Sequence, residues 1–384
     1  MKIDVMTKDK DIKTTVPTLR FREFQNDARW IPYKIDHVCK IGNGRDYKHL
    51  SAGNIPVYGS GGYMTSVDKF LYDGESVCIG RKGTIDKPIF LTGKFWTVDT
   101  LFYTYAFHKC LPKFLYLIFQ QINWYKYNEA GGVPSLLKTT IGNINIFIPN
   151  NENEQKKIVD CFSSLDDLIN AVADKIETLK EYKKGLMQQL FPAEGKTTPA
   201  FRFPEFQNKG EWEESTLGDI CDMQAGKFVS ASEICDVKKD TMYPCYGGNG
   251  LRGYTHSFTH FGIYPLIGRQ GAQCGNITYA EGKFHATEHA VVVTLKKDID
   301  IRWLYYQLIK LDLNQYATGQ AQPGLSVDVI KKVTIRIPKN KNEQQLIACG
   351  LFSVDELIST EIAKLDQLKA HKKGLMQQLF PKLQ

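Results

Sequence analysis

The sequence predicts an α+β protein made of two tandem copies of a mixed α/β domain, each followed by a long helix, with the two helices paired as an antiparallel coiled coil. Three observations predict it. The chain repeats itself at an offset near 189 residues. Each copy opens on a stretch rich in glycine, aromatic and β-branched residues, and each closes on an apolar seam of alternating four- and three-residue spacing.

The repeat is read directly from matching strings. KKGLMQQLFP stands at 183–192 and again at 372–381, and the same offset of 189 carries IPNNENEQ at 148–155 onto IPKNKNEQ at 337–344 and Pro134 onto Pro323. Slightly smaller offsets carry PVYGSGG at 56–62 onto PCYGGNG at 244–250, IGRKG at 79–83 onto IGRQG at 267–271, RFREF at 20–24 onto RFPEF at 202–206, and Trp30 onto Trp212. The drift marks short loop insertions inside one framework. Units of this length are too long for solenoid repeats, so the chain carries a duplicated domain. The expected boundaries are an N-terminal extension at 1–16, a first globular domain at 17–149, a first long helix at 150–192, a second globular domain at 193–338 and a second long helix at 339–384.

Within each globular stretch, short apolar runs such as 144–148 and 290–295 alternate with glycine-containing turns, a pattern of short strands. The segments from Leu111 and Ile301 predict internal helices. Asn151-x-x-Glu154 and Asn340-x-x-Glu343 resemble capping boxes that open the long helices. The seam then runs through Ile158, Phe162, Leu165, Ile169, Val172, Ile176, Leu179, Leu186 and Leu190 in the first copy. In the second it runs through Ile347, Leu351, Val354, Ile358, Leu365, Leu368, Leu375 and Leu379. Such a sustained a/d stripe predicts a coiled coil. Lys183, Lys372 and Glu361 interrupt it.

Connectivity predicts the direction of pairing. The first helix leads through a short linker into the second domain, and the second helix starts at that domain's end, so the two run antiparallel with one domain at each end. The segment at 17–24 resembles the one at 199–206 that follows the first helix. The start of the chain therefore continues where its end stops, a circular pseudo-twofold repeat.

Composition bounds the function. A net charge of +7 suits an acidic partner such as nucleic acid. Nine cysteines with no C-x-x-C pair read as free thiols of a cytoplasmic protein. The charged N-terminus has no apolar core of a signal peptide, and no apolar run is long enough to span a membrane. No phosphate loop, glycine-rich dinucleotide fingerprint or nucleophile elbow is present, so no catalytic residues are assigned. His285-Ala-Thr-Glu288-His289 fits the H-x-x-E-H metalloprotease string, but that chemistry needs a helix, and here the string runs into a strand-like segment with no histidine counterpart in the first copy. No metal site is assigned.

What remains is a glycine-rich loop followed by a basic loop in each copy. Glycine admits close backbone approach to phosphate, arginine reads guanine bidentately, and asparagine or glutamine reads adenine. The candidate DNA-contacting residues are Tyr58, Ser60, Arg81 and Lys82 in the first copy, and Tyr246, Asn249, Arg252, Arg269 and Gln270 in the second. At the helix ends, Leu186, Met187, Leu190 and Phe191, and equivalently Leu375, Met376, Leu379 and Phe380, cover more than one narrow seam. They predict an exposed apolar patch for partner docking.

These features together resemble the specificity subunits of type I restriction–modification systems, through the duplicated NEQ-led helix, the duplicated KKGLMQQLFP, the RFPEF–Trp entry and the YGGNG and IGRQG loops. The resemblance covers nearly the whole chain. It implies that each globular domain is a target-recognition domain reading one half of a bipartite, asymmetric site in double-stranded DNA, with the coil as spacer. It implies two modification subunits that methylate adenine with S-adenosylmethionine, and separate motor and nuclease restriction subunits that use ATP and Mg²⁺. This chain would bind none of these cofactors itself. Where the first copy has GSGGYM the second has GGNGLRG, which implies two different half-sites. The reading from another class is a structural adaptor whose paired domains bind protein.

Overall fold

A computed structural model describes residues 15–271, 273–319 and 323–382. Most of the predicted N-terminal extension lies outside them. The chain divides into two compact units, 1–173 with 364–384, and 174–363. Each unit thus holds one globular domain, the start of that domain's own long helix and the end of the other copy's long helix.

The first unit is built on a four-stranded sheet ordered Lys40–Asn43, Leu101–Tyr105, Ser76–Gly80 and Ile89–Leu91. A second four-stranded sheet is ordered Gly62–Val67, Ala52–Gly59, Lys94–Thr97 and Tyr72–Asp73. In the second unit the corresponding strands form one six-stranded sheet, ordered Cys221–Ala225, Ala290–Leu295, His260–Gly268, Ile277–Ala286, Tyr243–Gly247 and Gly250–Thr255. The difference lies in two strands. His260–Gly268 runs unbroken where the first unit has Tyr72–Asp73 and Ser76–Gly80, one in each sheet. Ile277–Ala286 runs unbroken through both regions, whereas Ile89–Leu91 and Lys94–Thr97 are parted at Gly93, whose φ is +71°. A separate antiparallel ribbon closes each domain, Ile31–Lys34 on Asn145–Ile148 and Glu213–Thr216 on Thr334–Ile337. The predicted internal helices are Pro112–Phe119 and Ile301–Lys310.

The long helices are Glu152–Leu190 and Lys341–Leu379. Their expected opening is corrected in part. Asn151 and Asn340 do cap, accepting from the backbone N–H groups of Asn153 and Asn342. Glu154 and Glu343, however, do not turn back to the cap backbone. Glu154 takes a bidentate bond from Arg20, Nε and Nη2 each at 2.7 Å, and the indole N–H of Trp30 at 3.1 Å. Glu343 repeats this with Arg202 at 2.7 and 2.8 Å and Trp212 at 3.1 Å. The carboxylates are almost completely buried, and a buried carboxylate is tolerable only when charge-paired and fully hydrogen-bonded. The next residue locks the joint. Gln155 donates to the carbonyls of Lys109 and Pro149 and accepts from the N–H of Leu111, and Gln344 donates to the Pro338 carbonyl and accepts from the N–H of Asp300.

Pairing of the helices is antiparallel within each unit. In the first, the rings of Phe162 and Phe380 lie 6.2 Å apart and Asp166 accepts from Lys372 at 2.5 Å, so one numbering rises as the other falls. In the second, Lys175 meets Glu361 and Lys183 meets Asp355 at 2.7 Å. The lysines that interrupt the predicted seam are therefore the donors of cross-helix ion pairs, Lys372 to Asp166 and Lys183 to Asp355.

The expected exposed patch at the helix ends is corrected as well. Met376, Leu379 and Phe380 belong to the core of the first unit, with Phe380 edge-on to Trp30 at 5.9 Å, and Leu375 packs against that core half-buried. Met187, Leu190 and Phe191 belong to the core of the second, where Phe191 meets Trp212 and Trp303, and Leu186 packs half-buried against it. The physical reason is that the tryptophan of each domain, Trp30 or Trp212, packs against the closing phenylalanine of the other copy's helix. Burying a side chain of this size stabilises by about 1.5–3 kcal/mol. The entry segments join the same seam, with Leu19 N–H donating to the Gln378 carbonyl and Phe201 N–H to the Gln189 carbonyl, both at 2.9 Å. All nine cysteines are free, and burial pushes the thiols of Cys39, Cys78 and Cys221 up to about 12.

Removing one partner from a buried ion pair leaves an uncompensated charge. Glu343→Ala should therefore destabilise the second unit by about 3–5 kcal/mol in denaturant unfolding. Glu177→Ala, at an exposed pair with Lys180, should change stability by less than about 0.5 kcal/mol. Equal effects would contradict this account of the clamp.

Candidate nucleic-acid interface

Each basic loop is held by backbone bonds that repeat between copies. Arg81 N–H donates to the Thr100 carbonyl, its own carbonyl accepts from Leu136 N–H, and Gly83 N–H donates to the Pro134 carbonyl. Arg269 N–H donates to the His289 carbonyl, its carbonyl accepts from Leu325 N–H, and Gly271 N–H donates to the Pro323 carbonyl. The six distances lie between 2.8 and 2.9 Å. With the backbone fixed on both sides, the side chains of Arg81, Lys82, Arg269 and Gln270 project into solvent, all exposed. The Arg81 guanidinium lies 6.0 Å from the ring centroid of Phe102, which supports it from below.

The glycines beside these arginines have a packing role. A Cβ on Gly80 would fall 1.9 Å from the Thr84 carbonyl oxygen, and one on Gly268 would fall 2.0 Å from the Gly248 carbonyl oxygen. Close approach of the chain to itself, not to a phosphate, requires glycine there.

The glycine-rich loops are hairpin tips that border the basic loops. In the second unit, the loop 247–252 lines an open groove of about 400 Å³ together with Gln270, Gly271 and His289. Asn249, Arg252 and Gln270 are thereby brought together, whereas Tyr246 stands apart, edge-on to Phe284 at 5.7 Å. Burial pushes the Tyr246 phenol up. In the first unit, Arg81 and Lys82 line a groove of about 580 Å³ with Asp99, Thr100, Ala130, Val133 and Ser135. Ser60 reaches the same loop, since a Cβ on Gly83 would lie 3.3 Å from its Oγ. Tyr58 is half-buried, edge-on to Tyr63 at 6.1 Å.

The H-x-x-E-H string does not form the metalloprotease arrangement. His285 lies next to last in the strand Ile277–Ala286, and Glu288 and His289 form a turn, not a helix. The buried His285 ring is already occupied on both nitrogens, Nδ1 with Ser257 Oγ at 3.0 Å and Nε2 with the Lys227 carbonyl at 3.1 Å. Among the described residues no cluster of His, Cys, Asp or Glu is placed to hold a metal ion, and no helix is long and apolar enough to cross a membrane.

Residues of the interface that the sequence did not assign to it are Thr100 and His289, whose carbonyls hold the arginine loops, and Leu251 on the groove. Their signal was available only as alignment of the copies, since 100 and 289 stand at the common offset of 189.

The model of the type I restriction modification DNA specificity domain matches this chain twice, at residues 28–181 and 209–370. The chain belongs to this family. The two matches each take in one globular domain and the first part of its helix, the same duplication seen in the structure. This specificity chain is 39% identical over 165 residues to the Type I restriction enzyme EcoprrI specificity subunit of Escherichia coli, spanning 43% of this chain and 41% of that protein's length. It is 27% identical over 346 residues to the MjaVIII specificity subunit of Methanocaldococcus jannaschii, spanning 81% of this chain and 77% of that one. The fold is that of the crystal structure of the S subunit from M. genitalium, with a TM-score of 0.72 at 18% identity over 96% of this chain and all of the other. A chain from a structure concerned with complex assembly and conformational transition of the type I R-M system superposes with a TM-score of 0.51 at 14% identity, covering 92% and 98%.

Proposed function

We propose that this specificity subunit is the DNA-reading, non-catalytic component of a type I restriction–modification complex, each domain reading one half of a bipartite asymmetric site. The observation that carries the reading is the pair of exposed arginines, Arg81 and Arg269, each anchored through its own backbone, Arg81 lining one groove and Arg269 preceding Gln270, which lines the other with the glycine-rich hairpin tip. Among the described residues neither guanidinium has a hydrogen-bond partner, and such a fork suits guanine or phosphate. The long helices set the gap between half-sites, because each domain is clamped to the start of its own helix by a buried ion pair. Adenine methylation, ATP use and cleavage belong to the modification and restriction subunits, which bind S-adenosylmethionine, ATP and Mg²⁺. The sequence of this chain has no phosphate loop or nucleotide fingerprint, which favours that division of labour.

The helix surfaces supply docking positions for two modification subunits, one per copy. Leu168 is 43% exposed and Leu357, its equivalent at an offset of 189, is 53% exposed. Large apolar side chains left outside a coil seam at duplicated positions suit a duplicated partner.

In the assembled complex, Arg81→Ala and Arg269→Ala should each weaken duplex binding by about 1–3 kcal/mol, read as Kd at fixed salt. An arginine that reads a base should relax the preference at one position; one that touches phosphate should lower the salt slope by about one. Unchanged Kd for both variants contradicts the assignment. Leu168→Glu and Leu357→Glu should each remove one modification subunit from the complex by native mass spectrometry. Full stoichiometry in the double variant contradicts docking there.

A further inference from the structure

The two hairpins share a backbone and differ in what they expose. Ala52–Gly59 pairs with Gly62–Val67, and Tyr243–Gly247 pairs with Gly250–Thr255. Both carry a register shift at the same place, between Val57 and Tyr58 and between Cys245 and Tyr246. Both then close through the same pairs, Tyr58 with Tyr63 and Gly59 with Gly62, and Tyr246 with Leu251 and Gly247 with Gly250. The returning glycines have positive φ in each, +109° at Gly62 and +92° at Gly250. Both outgoing strands are pinned by a short parallel pairing, Val57 with Trp96 and Cys245 with His285.

On this common frame, the two residues after the returning glycine face outward. In the first copy they are Tyr63 and Met64, 63% and 51% exposed. In the second they are Leu251, 53% exposed, and Arg252, also exposed. These side chains are placed, not loose. The Tyr63 hydroxyl is bonded to Ser66 Oγ at 3.1 Å, and its ring rests on Tyr58. Met64 lies over Gly59, where a Cβ would come within 2.8 Å of its sulfur, and Arg252 lies beside Gly247, with a Cβ there 3.8 Å from Cδ. The tip of each hairpin borders a basic loop: a Cβ on Gly83 would lie 3.3 Å from Ser60 Oγ in one unit, and Leu251 and Arg252 share a groove with Gln270 in the other. A bulged two-stranded ribbon matches the width of a DNA major groove.

We propose that this outward pair is the specificity-determining element of each domain, and that Tyr63–Met64 and Leu251–Arg252 make the two copies read different base pairs. The inference rests on the DNA-reading function above. The chemistry differs in kind. Tyr63, with its hydroxyl already bonded to Ser66, and Met64 present apolar surface, which suits the thymine methyl. Arg252 is exposed and has no hydrogen-bond partner among the described residues, and its fork suits guanine O6 and N7, with Leu251 as the apolar neighbour. The arginines of the neighbouring basic loops, Arg81 and Arg269, are common to both copies, so by themselves they do not distinguish the half-sites.

The test exchanges the pairs. The complex carrying Tyr63→Leu with Met64→Arg, and separately the complex carrying Leu251→Tyr with Arg252→Met, are each used to select from a duplex library randomised across both half-sites. The parent complex is run beside them. The expected result is that the first variant changes or loses the preference in one half-site only, and the second does so in the other half-site only. Both should keep the parent's gap and thermal unfolding temperature, since the exchanged side chains are exposed. Enrichment of both parental half-sites by both variants overturns the proposal, as does a change that falls on the half-site of the unaltered copy. Failure of the parent itself to enrich any sequence overturns the DNA-reading function instead, so the two failures are distinguishable.

Discussion

A buried arginine–carboxylate–tryptophan clamp, present once in each unit, is the interaction on which the rest of this structure depends. Glu154 and Glu343 sit at the first turn of their helices, where the helix dipole favours a negative charge. They use that charge to hold an arginine from the chain segment that enters the domain and the indole N–H of the tryptophan that floors its core. The bond from Glu154 also holds the Arg20 guanidinium above its ordinary pKa. Three segments distant in sequence are thereby fixed at one point, and the direction in which each long helix leaves its domain is set there. The neighbouring glutamine removes the remaining freedom by bonding backbone on two sides of the joint.

The clamp also explains the exchange of helix ends. Its tryptophan packs against a closing phenylalanine that comes from the other copy's helix. Neither unit is complete without both helices. A surface that looks like docking apparatus in one dimension is core in three. The part-buried ion pairs of Lys183 with Asp355 and Lys372 with Asp166 then align the paired helices where the seam alone would admit a slip by a heptad, a use of polar groups for register.

Much of this was legible from repetition alone. Matching strings located the two copies, the seam located the helices, and the placement of 17–24 against 199–206 anticipated the entry segments on the helix ends. The roles of the repeated residues were harder to read. Asn-x-x-Glu fits a capping box, and only the three-dimensional position of Arg20 and Trp30 shows that the glutamate has a stronger partner. Leu186, Met187 and Phe191 lie on adjacent helical positions, which in sequence is equally compatible with a second partner and with a wide contact to a domain. The H-x-x-E-H string carries no information about whether it lies on a helix. The sheet difference between copies was not legible either, since Gly93 and Gly282 both take positive φ yet only the first interrupts its strand. For the candidate interface, the arginine loops were found from the repeated strings IGRKG and IGRQG, whereas the outward residues Tyr63, Met64 and Leu251 required the hairpin register.

On the proposed DNA-reading function, a clamp that fixes each domain to its helix makes the length of the helices set the gap between half-sites. The direct measurement is methylome sequencing of cells whose complex carries one added heptad after Asp174 and one after Ala363. These insertions preserve the a/d register and the ion pairs of Asp166 with Lys372 and Lys183 with Asp355 on either side of them. Seven residues add about 10 Å of helix, or roughly three base pairs of duplex. The account predicts methylation at the same two half-sites with a gap lengthened by about three base pairs. Methylation at the same half-sites with the original gap would contradict it.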